Sequence, residues 1–346
     1  MILKYFLFVF FCWPFFVFSQ DKKQYKLRTI AFYNVENLFD TINNPDTFDD
    51  DRTPLGKDRW TGKRYQNKLM NTSKVLWDIG RKVSGTAPDI IGLVEIENRD
   101  VLQDLLSTPP INSLSYGIIH FDSPDRRGVD VALLYKTSVF TPVSYTSLPL
   151  LLKNEFNERE YTRDQLLVSG FMDGEEIHFI VNHWPSRRGG TSKSEHKRLK
   201  AALLNKQIID SLQQIHPEAK IISMGDFNDD PTDASFKRVL RTKGIKTDSA
   251  SLLYNPMEML LRKHGAGSLA YRDRWNLFDQ FFFTSSLLDT TGSSLRYWKS
   301  GIYNPSYLTV PSGPYKGYPL RTYEGGRYRG GYSDHFPIYM FLLKPI

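Results

Sequence analysis

Pro88-Asp89-Ile90-Ile91-Gly92-Leu93-Val94-Glu95 is the stretch on which the fold turns. Ile90 to Val94 is an apolar run too short for an ordinary helix, so it reads as a buried strand that delivers Glu95 at its far end. Upstream, Tyr65, Leu69, Thr72, Leu76 and Ile79 recur at helical spacing, and Gly85 can stop that helix before Pro88. Further upstream, Leu27, Ile30 and Phe32 form a β-rich stretch that runs into polar Asn34-Val35-Glu36-Asn37. The pattern is strand, helix, strand, with acids where the strands finish.

The same reading extends downstream. Residues 129–135 predict a strand, and Gln165 to Phe171 and Glu176 to Val181 predict two more, joined by a tight Asp173-Gly174 turn and ending at His183. Ser192 and Glu195 have capping-box spacing ahead of a helix whose apolar face is Leu199, Ala202, Leu203, Ile209 and Leu212. A strand from Ala219 to Met224 then leads to Gly225-Asp226, and residues 278–283, 295–298 and 336–343 predict three more. Two strong helices are too few for regular β-α-β alternation. The expected architecture is an α/β four-layered sandwich, with two packed, mainly antiparallel β-sheets and helices on the outer faces.

Lys4 precedes a run from Tyr5 to Phe18 that is apolar except for Pro14, and the chain turns polar at Ser19-Gln20-Asp21. We read residues 1–19 as a signal peptide and 25–346 as one catalytic domain, since no linker, charge block or repeat divides the rest. The expected protein is exported, periplasmic or secreted, monomeric and without a stable membrane span after processing; an uncleaved anchor is the alternative. Cys12, the one cysteine, lies in the leader, so neither a disulfide framework nor a thiolate metal site is expected. With 40% hydrophobic residues the chain can bury a large core, and its net charge of +7 favours phosphate-bearing partners.

Polar groups recur at the strand ends: Asn34 and Glu36, Glu95, His183, Asp226 and Asn228, Asp279, then Asp334 and His335. Each alone has a bland explanation as a turn residue or solvated cap. Together they supply hard oxygen ligands for Mg²⁺, a carboxylate to orient water, donors for phosphoryl oxygens and imidazoles for proton transfer. Clustered Cys/His zinc spacing is absent.

The ordered set Phe32-Tyr33-Asn34-Val35-Glu36, Asp89 to Glu95, Val181-Asn182-His183, Gly225-Asp226-Phe227-Asn228, Phe278-Asp279-Gln280-Phe281 and Ser333-Asp334-His335 resembles the endonuclease/exonuclease/phosphatase family. That family includes DNase I-like and AP-endonuclease-like metal-dependent phosphoesterases. The resemblance implies Glu95 as the principal metal ligand, with Asn34, Glu36 and Asp334 beside it, for Mg²⁺ with Mn²⁺ or Ca²⁺ as alternatives. It implies that Asp226 aligns or deprotonates the attacking water and that Asn228 holds a phosphate oxygen. His335, oriented by Asp279, would stabilise the pentavalent transition state, and His183 would assist there or protonate the leaving oxygen.

Substrate-binding candidates are Tyr161 and Arg163, then Arg187 and Arg188, which precede Gly189-Gly190 in a basic loop after His183. Surface charge pairing is the competing reading. Asp130 is a candidate partner for His183. The Tyr- and Arg-rich stretch with Tyr315, Tyr318, Arg321, Tyr323, Arg327, Tyr328 and Arg329 could stack bases and hold a strand's backbone. The expected substrate is nucleic acid. The alternatives are a phospholipid, inositol phosphate or other small phosphoester, or a binding module without activity.

Overall fold

A computed structural model describes residues 24–246 and 253–346, so the leader and Cys12 lie outside the described residues. Twelve strands build two six-stranded sheets. The first contains β1 (Tyr25–Leu38), β2 (Ile90–Ile96), β3 (Tyr116–His120), β4 (Asp130–Lys136), β11 (Arg296–Ile302) and β12 (Ile338–Pro345), in the order β11-β12-β1-β2-β4-β3. The second contains β5 (Phe140–Leu148), β6 (Gln165–Met172), β7 (Glu175–His183), β8 (Ile221–Asp226), β9 (Leu253–Tyr254) and β10 (Asp279–Thr284), in the order β9-β10-β8-β7-β6-β5.

Each sheet has one parallel pair, β1 with β2 and β7 with β8. A parallel pair needs a crossover, and a long helix supplies each one: α1 (Gly62–Asp78) and α3 (Thr191–Ile215). The shorter α2 (Arg99–Ser107) and α4 (Met257–His264) were not foreseen; Asn98 caps α2 by accepting from the Val101 N–H at 3.0 Å.

Alternation along the strands sorts side chains into three cores. Ile30, Phe32, Ile90 and Val94 of the first sheet meet Phe179, Val181, Ile222, Met224 and Phe281 of the second. The opposite faces, Ala31, Tyr33, Ile91 and Leu93, pack on Tyr65, Leu69 and Leu76 of α1 and Val101 of α2. Ile180, Ile221 and Phe282 pack on Ala201, Ala202 and Ile209 of α3. The layers are therefore helices, sheet, sheet, helix, as the pattern predicted.

Asp173 and Gly174 have φ of 50° and 80°, the turn anticipated between β6 and β7. The expected capping box is not formed: Gly190 is the N-cap of α3, Ser192 is already helical, and Ser194 Oγ instead donates to the Gly190 carbonyl. The first helix ends at Asp78, ahead of Gly80 with its left-handed φ of 72°, and a further helical turn, Arg81–Ser84, is stopped by Gly85, whose N–H bonds the Arg81 carbonyl at 2.8 Å. No helix among the described residues is long and apolar enough to cross a membrane.

Glu97, just past β2, is buried with one oxygen accepting from the Asp40 N–H at 2.6 Å. Burial, and then the carboxylates of Asp40, Asp49 and Asp130, push its pKa up to about 8 despite that bond. The folded chain thus prefers the neutral acid, a preference that stabilises fully below the unfolded pKa of ~4.3 and fades as pH rises toward the folded value. Glu97→Gln is therefore expected to raise the melting temperature by about 2–4 °C at pH 8 and to leave it nearly unchanged at pH 4, measured by thermal denaturation across pH.

Candidate active site

The parallel pairs finish at the same rim, and the chain enters β10 and β12 from that side. This gathers Asn34 and Glu36 from β1, Glu95 from β2, His183 from β7, Asp226 from β8, Asn228 just beyond it, Asp279 at the start of β10, and Asp334 and His335 before β12. Glu36, Glu95 and Asn228 all have left-handed backbones, with φ of 52°, 63° and 51°, and bulges interrupt the β1–β2 and β2–β4 ladders at the two acids. Such conformations cost about 1–2 kcal/mol per non-glycine residue and recur where a side chain must be re-aimed. Gly225 is required beside Asp226: a Cβ there would lie 2.4 Å from the Asn182 carbonyl oxygen.

Asp226 Oδ2 is the hub. Asn34 Nδ2 donates to it at 3.1 Å, and the Nε2 atoms of His183 and His335 lie 3.8 and 3.9 Å away. Its other oxygen accepts the Asn228 N–H at 3.0 Å. His183 Nε2 also lies 3.9 Å from Glu95 Oε1, and His335 Nε2 lies 4.0 Å from Asp334 Oδ1. Asp279 holds His335 Nδ1 at 2.6 Å, and Ser333 Oγ ties the loop down by donating to the Asn34 carbonyl and accepting from the His335 N–H.

The environment drives the two imidazoles apart. Burial works against a charge on His335, but Asp279 and Asp226 outweigh it and hold its pKa well above the ordinary range. His183 is also buried, and the positive charges of Arg163, Arg127 and His335 leave it well below that range and neutral. Asp226 is raised, first by burial and then by Asp279 and Glu95, with His335 opposing. Two titratable groups pushed in opposite directions around one carboxylate are suited to different proton-transfer roles.

Several assignments need revision. Asp130 does not partner His183: it bonds His120 Nε2 at 3.1 Å and accepts from Ser123. Together with Asp122 these residues place three ligand atoms within 4.8 Å of one another, apart from the hub's own acids. Arg187 is not free to grip a phosphate, because it is spent on the Asn228 carbonyl, Asp229 and Asp233 and stacks over Phe278. Arg163 is buried between Asp125 and the Trp184 carbonyl. Tyr161, 49% exposed, and Arg188 do line an open cleft. Tyr323 and Tyr328 pack on Trp60 and Arg64 rather than facing a strand of bases. Arg321, read from the sequence as a cation that could hold a strand's backbone, instead binds acids of the centre, and Lys68 was missed. Arg321 bridges Glu36 and Asp334, and buried Lys68 donates to Thr322 Oγ1 at 2.7 Å and the Tyr332 carbonyl at 2.6 Å. Lys68 carries a signal in hindsight: it sits three residues after Tyr65, on the helix's buried face.

The profile of the Endonuclease/Exonuclease/phosphatase family matches residues 29–344, and the chain belongs to that family. It is accordingly a phosphoester hydrolase of a divalent-metal-dependent type. Solved structures share the fold at low identity. D. rerio TDP2 complexed with single-strand DNA product is 15% identical, covering 91% of this chain and 98% of that one, with a TM-score of 0.53. The human Nocturnin catalytic domain with bound sulfate is 15% identical over 92% and 97%, with a TM-score of 0.54. A Bacteroides thetaiotaomicron mannosyl-6-phosphatase is 19% identical over 91% and 99%, with a TM-score of 0.52. Among curated proteins none matches this chain.

The residues fit a divalent cation. Glu36, Glu95, Asp226 and Asp334 are hard oxygen donors, and burial first, then Asp334 at Glu36 and Asp279 and Glu95 at Asp226, raise the pKa of these two acids, a cost of ionisation that a cation relieves. Asp279→Asn removes the largest support for the His335 charge, so the His335 pKa is expected to fall by more than one unit in an NMR titration of the metal-free protein; an unchanged value would mean that the pair does not control the imidazole.

Proposed function

We propose that the chain is an exported, metal-dependent phosphodiesterase that hydrolyses DNA or RNA by activated-water attack on phosphorus. Export rests on the reading of residues 1–19 as a signal peptide. The fold is shared by proteins acting on different phosphoesters, so it does not choose the substrate. The observation that carries the nucleic-acid reading is the cleft beside His183, with a cavity volume of about 570 Å³. Arg126, Arg127, Arg159, Arg188 and Lys197 line it against only Asp125 and Glu160. The Trp184 carbonyl joins cleft to centre, accepting from Arg163 in the cleft wall at 2.7 Å and from Asn228 Nδ2 at 3.1 Å. Clustered cations beside a phosphoryl-transfer centre suit a backbone of repeated phosphates.

In this reading Asp226, fixed by Asn34 and Asn228, aligns the attacking water and takes its proton. The charged His335, held by Asp279, donates from Nε2 to the negative charge that develops on the phosphoryl oxygens. His183, whose Nε2 lies 3.8 Å from Asp226 and 3.9 Å from Glu95, assists there or protonates the leaving oxygen. Asn228 has one amide hydrogen left for a phosphate oxygen after bonding Trp184. Glu95, with Asp334 and Asn34 beside it, would hold the divalent cation, whose contribution is to neutralise phosphoryl charge; an all-oxygen donor set suits Mg²⁺, Mn²⁺ or Ca²⁺.

Metal-dependent assays on plasmid DNA, RNA and a panel of small phosphoesters decide the substrate. Cleavage of nucleic acid is expected, and inactivity there beside turnover of a phospholipid, inositol phosphate or sugar phosphate would replace this reading with the small-phosphoester one. Asp226→Ala or His335→Ala should lower kcat/KM by about 10³-fold or more; binding without turnover by the parent would leave only a binding module. Activity should also fall on acidification at a pH above the ordinary carboxylate value of ~3.9, because Asp226 must be ionised to accept a proton. Arg188→Ala should raise KM with kcat within about twofold and lower the log–log salt slope of binding by about 0.7–0.9.

A further inference from the structure

We propose that Arg321 is a built-in counter-ion that confines the acidic centre to a single divalent cation. The proposal rests on the metal-dependent reading of the site given above. Arg321 Nε donates to Glu36 Oε1 at 3.1 Å, and its Nη2 donates to Asp334 Oδ2 at 2.8 Å. The guanidinium thus lies between two acids that would otherwise offer a second pair of hard oxygens to a metal. Both oxygens of Glu36 are engaged, because the other one accepts the Thr322 N–H at 2.6 Å. Asp334 keeps one oxygen, Oδ1, on the side of His335. The remaining acids, Glu95 and Asp226, lie on the far side around His183.

The Arg321 side chain is 47% exposed, but the backbone that carries it is built into the fold. Thr322, the next residue, is fixed three ways: its N–H bonds Glu36, its hydroxyl accepts from buried Lys68, and its carbonyl accepts from the Arg329 N–H at 2.8 Å. Leu320, the preceding residue, accepts the Tyr332 N–H at 2.6 Å. The backbone that carries Arg321 is therefore ordered before any ligand arrives, and little further freedom is lost in holding the bidentate contact. A guanidinium stays charged at every working pH, so it competes with a cation under all conditions in which the acids are ionised.

Removing it would open a real site. A cavity of about 110 Å³ adjoins the clamp, lined by Glu36, Asn37, Arg321, Thr322, two aromatic rings and Arg52, whose own charge is paired with Asp58 at 2.8 Å. At ~30 Å³ per molecule this is room for about three waters, the hydration that a small hard cation retains. Glu36 Oε1, in the cavity wall, and Asp334 Oδ2 would then both lose the guanidinium they share.

The experiment is a Mn²⁺ titration of the purified chain, followed by the electron paramagnetic resonance of free Mn²⁺ and by calorimetry. One ion per chain is expected for the parent and for Arg321→Lys, which keeps the charge, and two for Arg321→Ala and Arg321→Gln. Arg321→Gln carries the comparison should the alanine variant fold poorly, and the same titrations on an Asp122→Ala background remove any contribution from the His120 group. Unchanged stoichiometry and affinity in both neutral variants, or two ions in the parent, would overturn the role of Arg321 alone. A parent that binds no Mn²⁺ would instead overturn the metal-dependent reading, and this inference with it.

Discussion

A single hydrogen bond between side chains of different sheets organises the centre: Asn34 Nδ2, at the end of β1, donates to Asp226 Oδ2, at the end of β8. Apolar packing between the sheets fixes their separation but not their relative slide at the rim. A buried carboxylate that accepts a directed bond from the facing sheet sets that slide, and an unmade bond at this depth would cost about 1–3 kcal/mol. At the opposite end of the sandwich Arg28 of β1 bonds both oxygens of Asp173, in the β6–β7 turn, at 2.6 Å. The two ties leave little freedom for one sheet to shift over the other.

The electrostatic design follows from crowding acids around that bond. Glu36 and Asp334 repel each other, as do Asp226, Asp279 and Glu95, and the protein answers with cations placed at different depths: Lys68 beneath, Arg321 across the mouth and His335 in the wall. Burial of Lys68 brings its pKa down to about 8, opposed by Glu36, Asp334 and Glu95. It therefore works as a fastener of the 322–332 segment as much as a charge. Both imidazoles are buried near Asp226, but only His335 has a carboxylate, Asp279, bonded to its second nitrogen, whereas His183 feels the positive charges of Arg163 and Arg127.

The sequence revealed the layers and the acidic constellation because both depend on local pattern. Ile90 to Val94 alternates between two cores, and the polar residues expected at strand ends share one rim, whereas Arg187 and Arg163, expected to bind substrate, are absorbed by neighbouring carboxylates. What stayed hidden depends on long-range pairing. Nothing local says that Arg321 will meet Glu36, 285 positions away, or that Asp130 will choose His120 over His183. The left-handed turns at Glu36 and Glu95 were illegible for a related reason. Glutamate has no preference for that backbone, so only the bulged pairing with a neighbouring strand imposes it. The tyrosines after Tyr303 read equally well as a stacking surface, yet Tyr323 and Tyr328 serve to seat the segment on α1, where Asn67 and Arg64 receive Tyr328.

The most direct measurement is a crystal structure of the chain soaked in Mn²⁺, with the ion located by anomalous scattering. A single strong peak is expected within ~2.2 Å of a Glu95 carboxylate oxygen and near the Asp226 hub. A peak confined to His120, Asp122 and Asp130, with the Glu95 and Asp226 carboxylates bare at a concentration that supports turnover, would contradict a catalytic centre at this rim.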